Sequence, residues 1–312
     1  MNDDGSNWER EVIAKLASDA LAEQKRARRW GILFKVLTFG YLFILLFVAL
    51  GWFGQGDGIQ TGDHTALVEL NGVIAADSQA NADDIAAGLK EAFEADGTRA
   101  VVLRINSPGG SPVQAAAINN EIRRLRELHP EIPLYAVVED ICASGGYYVA
   151  VAADQIYVAR ASIVGSIGVL MDGFGFTGTM EKLGVERRLL TAGENKGFLD
   201  PFSPLDAKQL DYARNMLTEI HSQFIEAVRK GRGDRLKETD QTFSGLMWTG
   251  EKSVELGLTD ALGSVAYVAR EVVKAEKIVN YSRRENLAER LARRFGATFG
   301  DAVLQGIRPG LH

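Results

Sequence analysis

The chain has 312 residues, 46% of them hydrophobic and 24% charged, with a formal net charge of −6. That length and apolar content suffice for one large globular domain, or two small ones, with a substantial core. The acidic balance argues against a nucleic-acid binder, whose footprint is a basic patch; a lone cysteine, Cys142, leaves no intramolecular disulfide, and His64, His129, His221 and His312 fall in no metal-ligand spacing.

Residues 1–35 read as an N-terminal segment before the span; 1–29 are polar, with helical patterning at Val12, Ile13, Leu16 and Leu21, and end in the basic cluster Lys25, Arg26, Arg28, Arg29. From Val36 to Gly56 no residue is charged, a run of 21 residues. At about 1.5 Å per residue such a helix reaches across the roughly 30 Å hydrocarbon core of a bilayer. A cleaved signal peptide is the competing reading, but bulky Trp52 and Phe53 follow the small Ala49-Leu50-Gly51 step, so an uncleaved anchor is expected. The basic cluster precedes the span, which puts the N-terminus in the cytoplasm and the rest on the outer face. Residues 57–65 read as a glycine-rich tether.

A globular domain follows over 66–280. Ala66–Leu70, Ala100–Ile105, Leu134–Val138 and Gln155–Ala159 read as strands; Asn81–Ala95 and Ser111–Leu128 read as helices between them. The β-α-β-α-β alternation predicts an α/β fold with a mainly parallel sheet. Further on, Gly178–Leu183 reads as a short helix, Glu186–Thr191 as a strand, Leu205–Lys230 as a long helix, and the alanine- and valine-rich stretch up to Lys277 as helix. His221, inside the long helix, reads as a packing residue. In the segment 281–312, Leu287, Leu291, Phe295, Phe299 and Val303 recur every fourth residue among arginines, the pattern of an amphipathic helix. It would dock on its own domain, on a neighbouring subunit or on a membrane surface.

Sites in parallel sheets form at the carboxyl ends of strands. Two glycine-rich turns fall there: Asn106-Ser-Pro-Gly-Gly110 and Ala143-Ser-Gly-Gly146. Ser144 sits between a strand and a helix, so two readings stand. It is a cap for the helix, or an exposed nucleophile beside free backbone N–H groups. A serine nucleophile needs a base. No histidine sits in a supportive motif, and a lysine must lose its proton first, from a reference pKa of about 10.4. Lys196, in the loop Asn195-Lys-Gly-Phe-Leu199, is a candidate, and a solvated loop lysine is the alternative.

Five segments in order resemble the signal peptide peptidase A family, membrane-anchored serine–lysine peptidases of the Clp protease/crotonase fold. They are Leu103–Ser111, Ala143–Tyr148, Val164–Val169, Lys196–Phe202 and Glu255–Asp260. The resemblance covers about residues 65–265. It implies Ser144 as nucleophile, Lys196 as general base, Ser166 as the hydroxyl that orients the lysine, and the N–H groups of Gly109 and Gly145 as oxyanion hole. It implies no metal, nucleotide or organic cofactor. Its substrates would be remnant signal peptides and other apolar peptides. Its short, single-domain form implies a homo-oligomer with a lysine reaching a neighbour's serine. Two rivals remain open: a same-fold peptidase acting on one membrane protein partner, and an inactive scaffold. A crotonase-type acyl-CoA enzyme is disfavoured by the outward-facing location.

Overall fold

A computed structural model describes residues 4–49 and 62–283. Residues 50–56 of the expected span, 57–61 of the tether and 284–312 of the expected amphipathic segment lie outside the described residues. The chain divides into two compact units.

The first contributes a single helix, α1 (Asp4–Ala49). It contains no proline to break it. It runs without interruption through residue 36, so the expected boundary between a polar segment and an apolar span is a change of composition only. Among the described residues it is the one helix long and apolar enough to cross a membrane, over Glu23–Phe47. Large apolar side chains along it, such as Phe34, Phe39 and Phe43, are exposed.

The second unit is an α/β domain. Its centre is three parallel strands, β1 (His64–Asn71), β2 (Thr98–Ser107) and β3 (Leu134–Ala143). Val68 pairs with Leu103 and Val101 with Leu134. Ala100, Val101, Val102 and Leu103 are all fully buried, as a strand covered on both faces requires. Between these strands lie α2 (Ala82–Glu94) and α3 (Pro112–Leu128). Their caps follow the sequence: Asn81 accepts from Asp84 N–H, and Ser111 accepts from Gln114 N–H ahead of Pro112 at the first helical position. Ile85, Leu89 and Phe93 of α2 and Ile118, Ile122 and Leu125 of α3 form the main core with the sheet.

β3 is longer than the apolar run that announced it, and it forks. Its first half pairs with β4 (Gln155–Val158), Tyr135 opposite Gln155. Its last three residues pair instead with β5 (Ile163–Gly165), Ala143 opposite Gly165. Ser144 follows at the end of that second branch, and α4 (Gly145–Ala150) begins immediately after it.

The remaining elements depart more from expectation. A short helix, α5 (Thr177–Leu183), precedes residues 185–192, which are exposed and form no strand. The expected strand at Glu186–Thr191 is therefore absent. The sheet edge beyond β5 is taken by β6 (Met247–Thr249), which pairs antiparallel with it, and a strand without a ladder partner leaves its backbone groups unpaired. The long helix α6 runs Ala207–Arg232 and buries Ala213, Phe224, Val228 and Arg232. Then come α7 (Gly250–Glu255), β7 (Ala261–Leu262) and α8 (Val265–Tyr267). The expected alanine- and valine-rich helix is short and continues as a π-helical turn, Val268–Val273. It ends at Lys274, in the left-handed conformation, so that the chain can turn into β8 (Ile278–Asn280) beside β1.

Candidate active site

At the fork of β3 the backbone turns sharply. Ser144 has φ 51° and ψ −123°, outside the regions a residue with a Cβ prefers. Such a conformation costs on the order of 1–3 kcal/mol and persists only where its surroundings enforce it. Here Ser144 N–H donates to Gly165 O at 2.8 Å, tying the turn to β5. The capping reading fails: Ser144 stands at the N-cap of α4, but its hydroxyl makes no cap hydrogen bond. By contrast Ser111, at the head of α3, does cap. Ser144 lines a cavity of about 500 Å³.

The turn after β2 packs directly against it. A Cβ placed on Gly109, which has φ 98°, would lie 2.6 Å from Gly145 N and 2.7 Å from Ser144 Cβ. Only glycine allows this approach. The loop is locked to the chain after β1: Ile74 N–H donates to Gly109 O at 2.9 Å, and Ser111 N–H donates to Ile74 O at 2.8 Å. Gly109 N–H is itself engaged, donating to Ser107 Oγ at 3.1 Å. Gly110 differs. It lines the cavity with Ser144 and Gly145, its nitrogen is 3.2 Å from where a Gly145 Cβ would stand, and its N–H has no recorded partner among the described residues. Of the two glycines in the loop, Gly110 thus offers the free donor, whereas Gly109 was the expected one.

Ser166 lines the same cavity. Like Ser144 it has φ 51°, and its N–H donates to Leu246 O at 2.7 Å. The following residue is pinned by α6, where His221 Nε2–H donates to Ile167 O at 3.2 Å. The sequence offered no signal for that role, since His221 is one polar residue on an amphipathic helix. The cavity is mostly apolar or small: Ala115 and Ala116 of α3, Val169, Leu170, Ile220, and Tyr148 beside Phe224, with ring centroids 5.2 Å apart.

Lys196 does not join this group. It is exposed, its N–H closes a turn onto Gly193 O at 3.1 Å, and it is not among the cavity's lining residues. The structure brings Ser144, Gly145 and Ser166 to one cavity, sets Gly109 behind them, and leaves Lys196 outside. Cys142, two residues before Ser144, is fully buried, and burial pushes its thiol far above the ordinary range, so it is no rival nucleophile. Among the described residues no three His, Cys, Asp or Glu side chains gather as metal ligands.

The fold and site define a class: an α/β domain that holds a strained serine against a glycine-rich loop at the mouth of an apolar cavity. Comparison with known proteins gives that class a family. The description "Peptidase family S49" matches residues 126–279. A Haemophilus influenzae protein named protease 4 is 31% identical over 219 residues, covering 69% of this chain and 35% of that protein. An Enterococcus faecium protein provisionally named signal peptide peptidase SppA is 28% identical over 221 residues, covering 68% of this chain and 64% of that protein. A Brucella melitensis protein named Na(+)/H(+) antiporter NhaA is 44% identical over 183 residues, covering 59% of this chain. The chain spans 25% of that Brucella protein. Among solved structures, a mutant of the 1510-N membrane-bound stomatin-specific protease with a substrate peptide aligns at TM-score 0.47 and 13% identity, over 75% of this chain and 98% of that one. Residues 126–279 thus form a peptidase family S49 region, with relatives named signal peptide peptidase SppA and protease 4.

Proposed function

We propose that this chain is a membrane-anchored serine endopeptidase that cleaves apolar peptides with a Ser144–Lys196 dyad. The observation that carries the reading is Ser144 itself. Its backbone is strained, its hydroxyl serves no cap, and it faces an apolar cavity beside a free backbone N–H. Strain of this kind concentrates at functional sites.

The chemistry follows from the groups present. Ser144 Oγ attacks the scissile carbonyl while a neutral lysine amine takes its proton. The N–H groups of Gly145 and Gly110 donate hydrogen bonds to the developing oxyanion, and such donors are worth on the order of 10²–10³ in rate each. The protonated lysine returns its proton to the leaving amine. Water, deprotonated by the same lysine, then hydrolyses the ester on Ser144. Ser166 orients the amine. Lys196 in this reading comes from a neighbouring copy, which is supported by its exposure within its own chain and by its absence from the lining of its own cavity. The anchor is α1, with the basic cluster on the cytoplasmic side and the domain outside. The substrates are remnant signal peptides and similar apolar segments.

A second reading, a peptidase dedicated to one membrane protein partner, is favoured by the Brucella relative, in which the similar region is a quarter of a protein named as an antiporter. Peptides that accumulate in a deletion strain separate the two. For the leading reading, Ser144→Ala and Lys196→Ala are each assayed on an apolar peptide. Both lose cleavage if the dyad is right, and near-wild-type turnover by both variants would sink it.

A further inference from the structure

Glu255-Leu-Gly-Leu-Thr-Asp260 is a motif for which the dyad has no use, yet it is built into the molecule with care. Asp260 receives Arg232 Nη1 and Nη2 at 2.8 Å each, Arg235 Nη1 at 3.1 Å and Ile156 N–H at 2.6 Å. Arg232 is 1% exposed, and its Nε–H donates to Gly257 O at 2.8 Å. Gly257 has φ 71°, and a Cβ there would fall 1.7 Å from Arg235 O. Thr259 and Ser253 share a buried hydroxyl hydrogen bond of 2.7 Å. The end of α6, the start of β4 and the loop before β7 therefore form one clamped unit. A buried ion pair with all its donors placed adds rigidity more than net stability.

One group reaches out of this unit toward Ser144. The Tyr147 hydroxyl donates to Leu258 O at 2.6 Å. Tyr147 is fully buried and lies three residues after Ser144, in the first turn of α4. That helix has only six residues, too few to hold its own axis. Two external hydrogen bonds hold it: Tyr147 to Leu258, and Asn119 Nδ2–H to Tyr148 O at 2.6 Å. Ser144 in turn keeps a strained conformation that its own residue type disfavours. A change in the seat of α4 moves Ser144 Oγ and Gly145 N–H together.

We propose that Tyr147, seated on Leu258 by the Arg232–Asp260 pair, is a positioning residue for the Ser144 nucleophile. It sets the rate of acyl transfer and leaves substrate binding alone. This rests on the reading of Ser144 as nucleophile.

The test is Tyr147→Phe in the full chain, which keeps the ring and removes only the hydroxyl. Three quantities are measured below the thermal midpoint of each variant: kcat, KM for an apolar peptide, and the rate at which a small fluorophosphonate labels Ser144. A misplacement at this distance lowers kcat and labelling in parallel by roughly ten- to a hundredfold, with KM within about twofold. Tyr157→Phe is the control. Tyr157 is also buried and bonds Gln155 Oε1 at 2.6 Å, but it packs in the smaller core on the opposite face of the sheet. That variant loses stability without losing kcat. Wild-type kcat and labelling in folded Tyr147→Phe overturn the proposal. So does a loss that Tyr157→Phe reproduces, or one carried by KM. Ser144→Ala keeps the two readings apart. If it retains cleavage, the nucleophile reading falls and this one with it; if it is inactive while Tyr147→Phe is normal, only the positioning role falls.

Discussion

The surroundings of Ser144 and of Lys196 are built in opposite ways. Around Ser144, Cys142 and Ala143 before it and Gly145, Gly146 and Tyr147 after it are buried. Its N–H, the loop of Gly109 and the hydroxyl of Tyr147 are all tied by hydrogen bonds to separate elements. Around Lys196, residues 181–196 are exposed throughout. This second region also carries large apolar side chains with little cover: Phe174 at 79%, Leu183 at 72% and Leu190 at 96% exposure. In the proposed dyad, one chain places Ser144 at its cavity and leaves Lys196 exposed and outside that cavity's lining.

Five substitutions test this contrast. Ser144→Ala has the largest expected effect, a fall in kcat on the order of 10⁴-fold or more, measured on an apolar peptide with the fold checked by circular dichroism. Arg232→Ala removes one partner of a buried ion pair and costs about 3–5 kcal/mol in urea unfolding. Burial of Asp260 tends to raise its pKa, but hydrogen bonds and charge from Arg232 outweigh this and hold it below the ordinary value. Since the folded value is depressed, the stability it contributes is present above about pH 4 and is lost as pH falls through the folded pKa. Unfolding of wild type and Asp260→Asn, followed from neutral pH downward, should therefore converge in acid. Gly110→Ala places a Cβ 2.2 Å from Ile74 O and displaces the free N–H; kcat falls by about 10²–10³, with a smaller change in KM. Leu190→Ser is the mildest: the single chain's stability changes by less than about 0.5 kcal/mol, while self-association measured by analytical ultracentrifugation weakens.

What the sequence disclosed follows the same division. The strands and helices from His64 to Val158 were legible because local signals agree with the tertiary result. Asn81 and Ser111 cap the helices they precede, Pro112 opens α3, and the apolar runs are the buried strands. The fork in β3 was not legible, because which neighbour a strand pairs with is decided by distant residues; β5 and β6 have only three residues each. The expected strand at 186–191 had the composition of a strand, but the segment is exposed and pairs with no strand of the sheet. The glycine-rich turns meet at one cavity, yet composition cannot say which of two adjacent N–H groups is spent. Ser107 Oγ decides that by taking Gly109 N–H. The part played by Tyr147 was hidden in a motif whose partner, Leu258, lies 111 residues away.

The central claim, that the cavity of one copy is completed by Lys196 of another, is tested most directly by complementation. Ser144→Ala and Lys196→Ala chains are purified alone and after co-expression, and cleavage of an apolar peptide is measured at equal total protein. Each variant alone should be inactive, and the mixed assembly should regain cleavage, because some sites then pair an intact Ser144 with an intact Lys196 from a neighbour. A mixed assembly that forms and stays inactive would contradict the account.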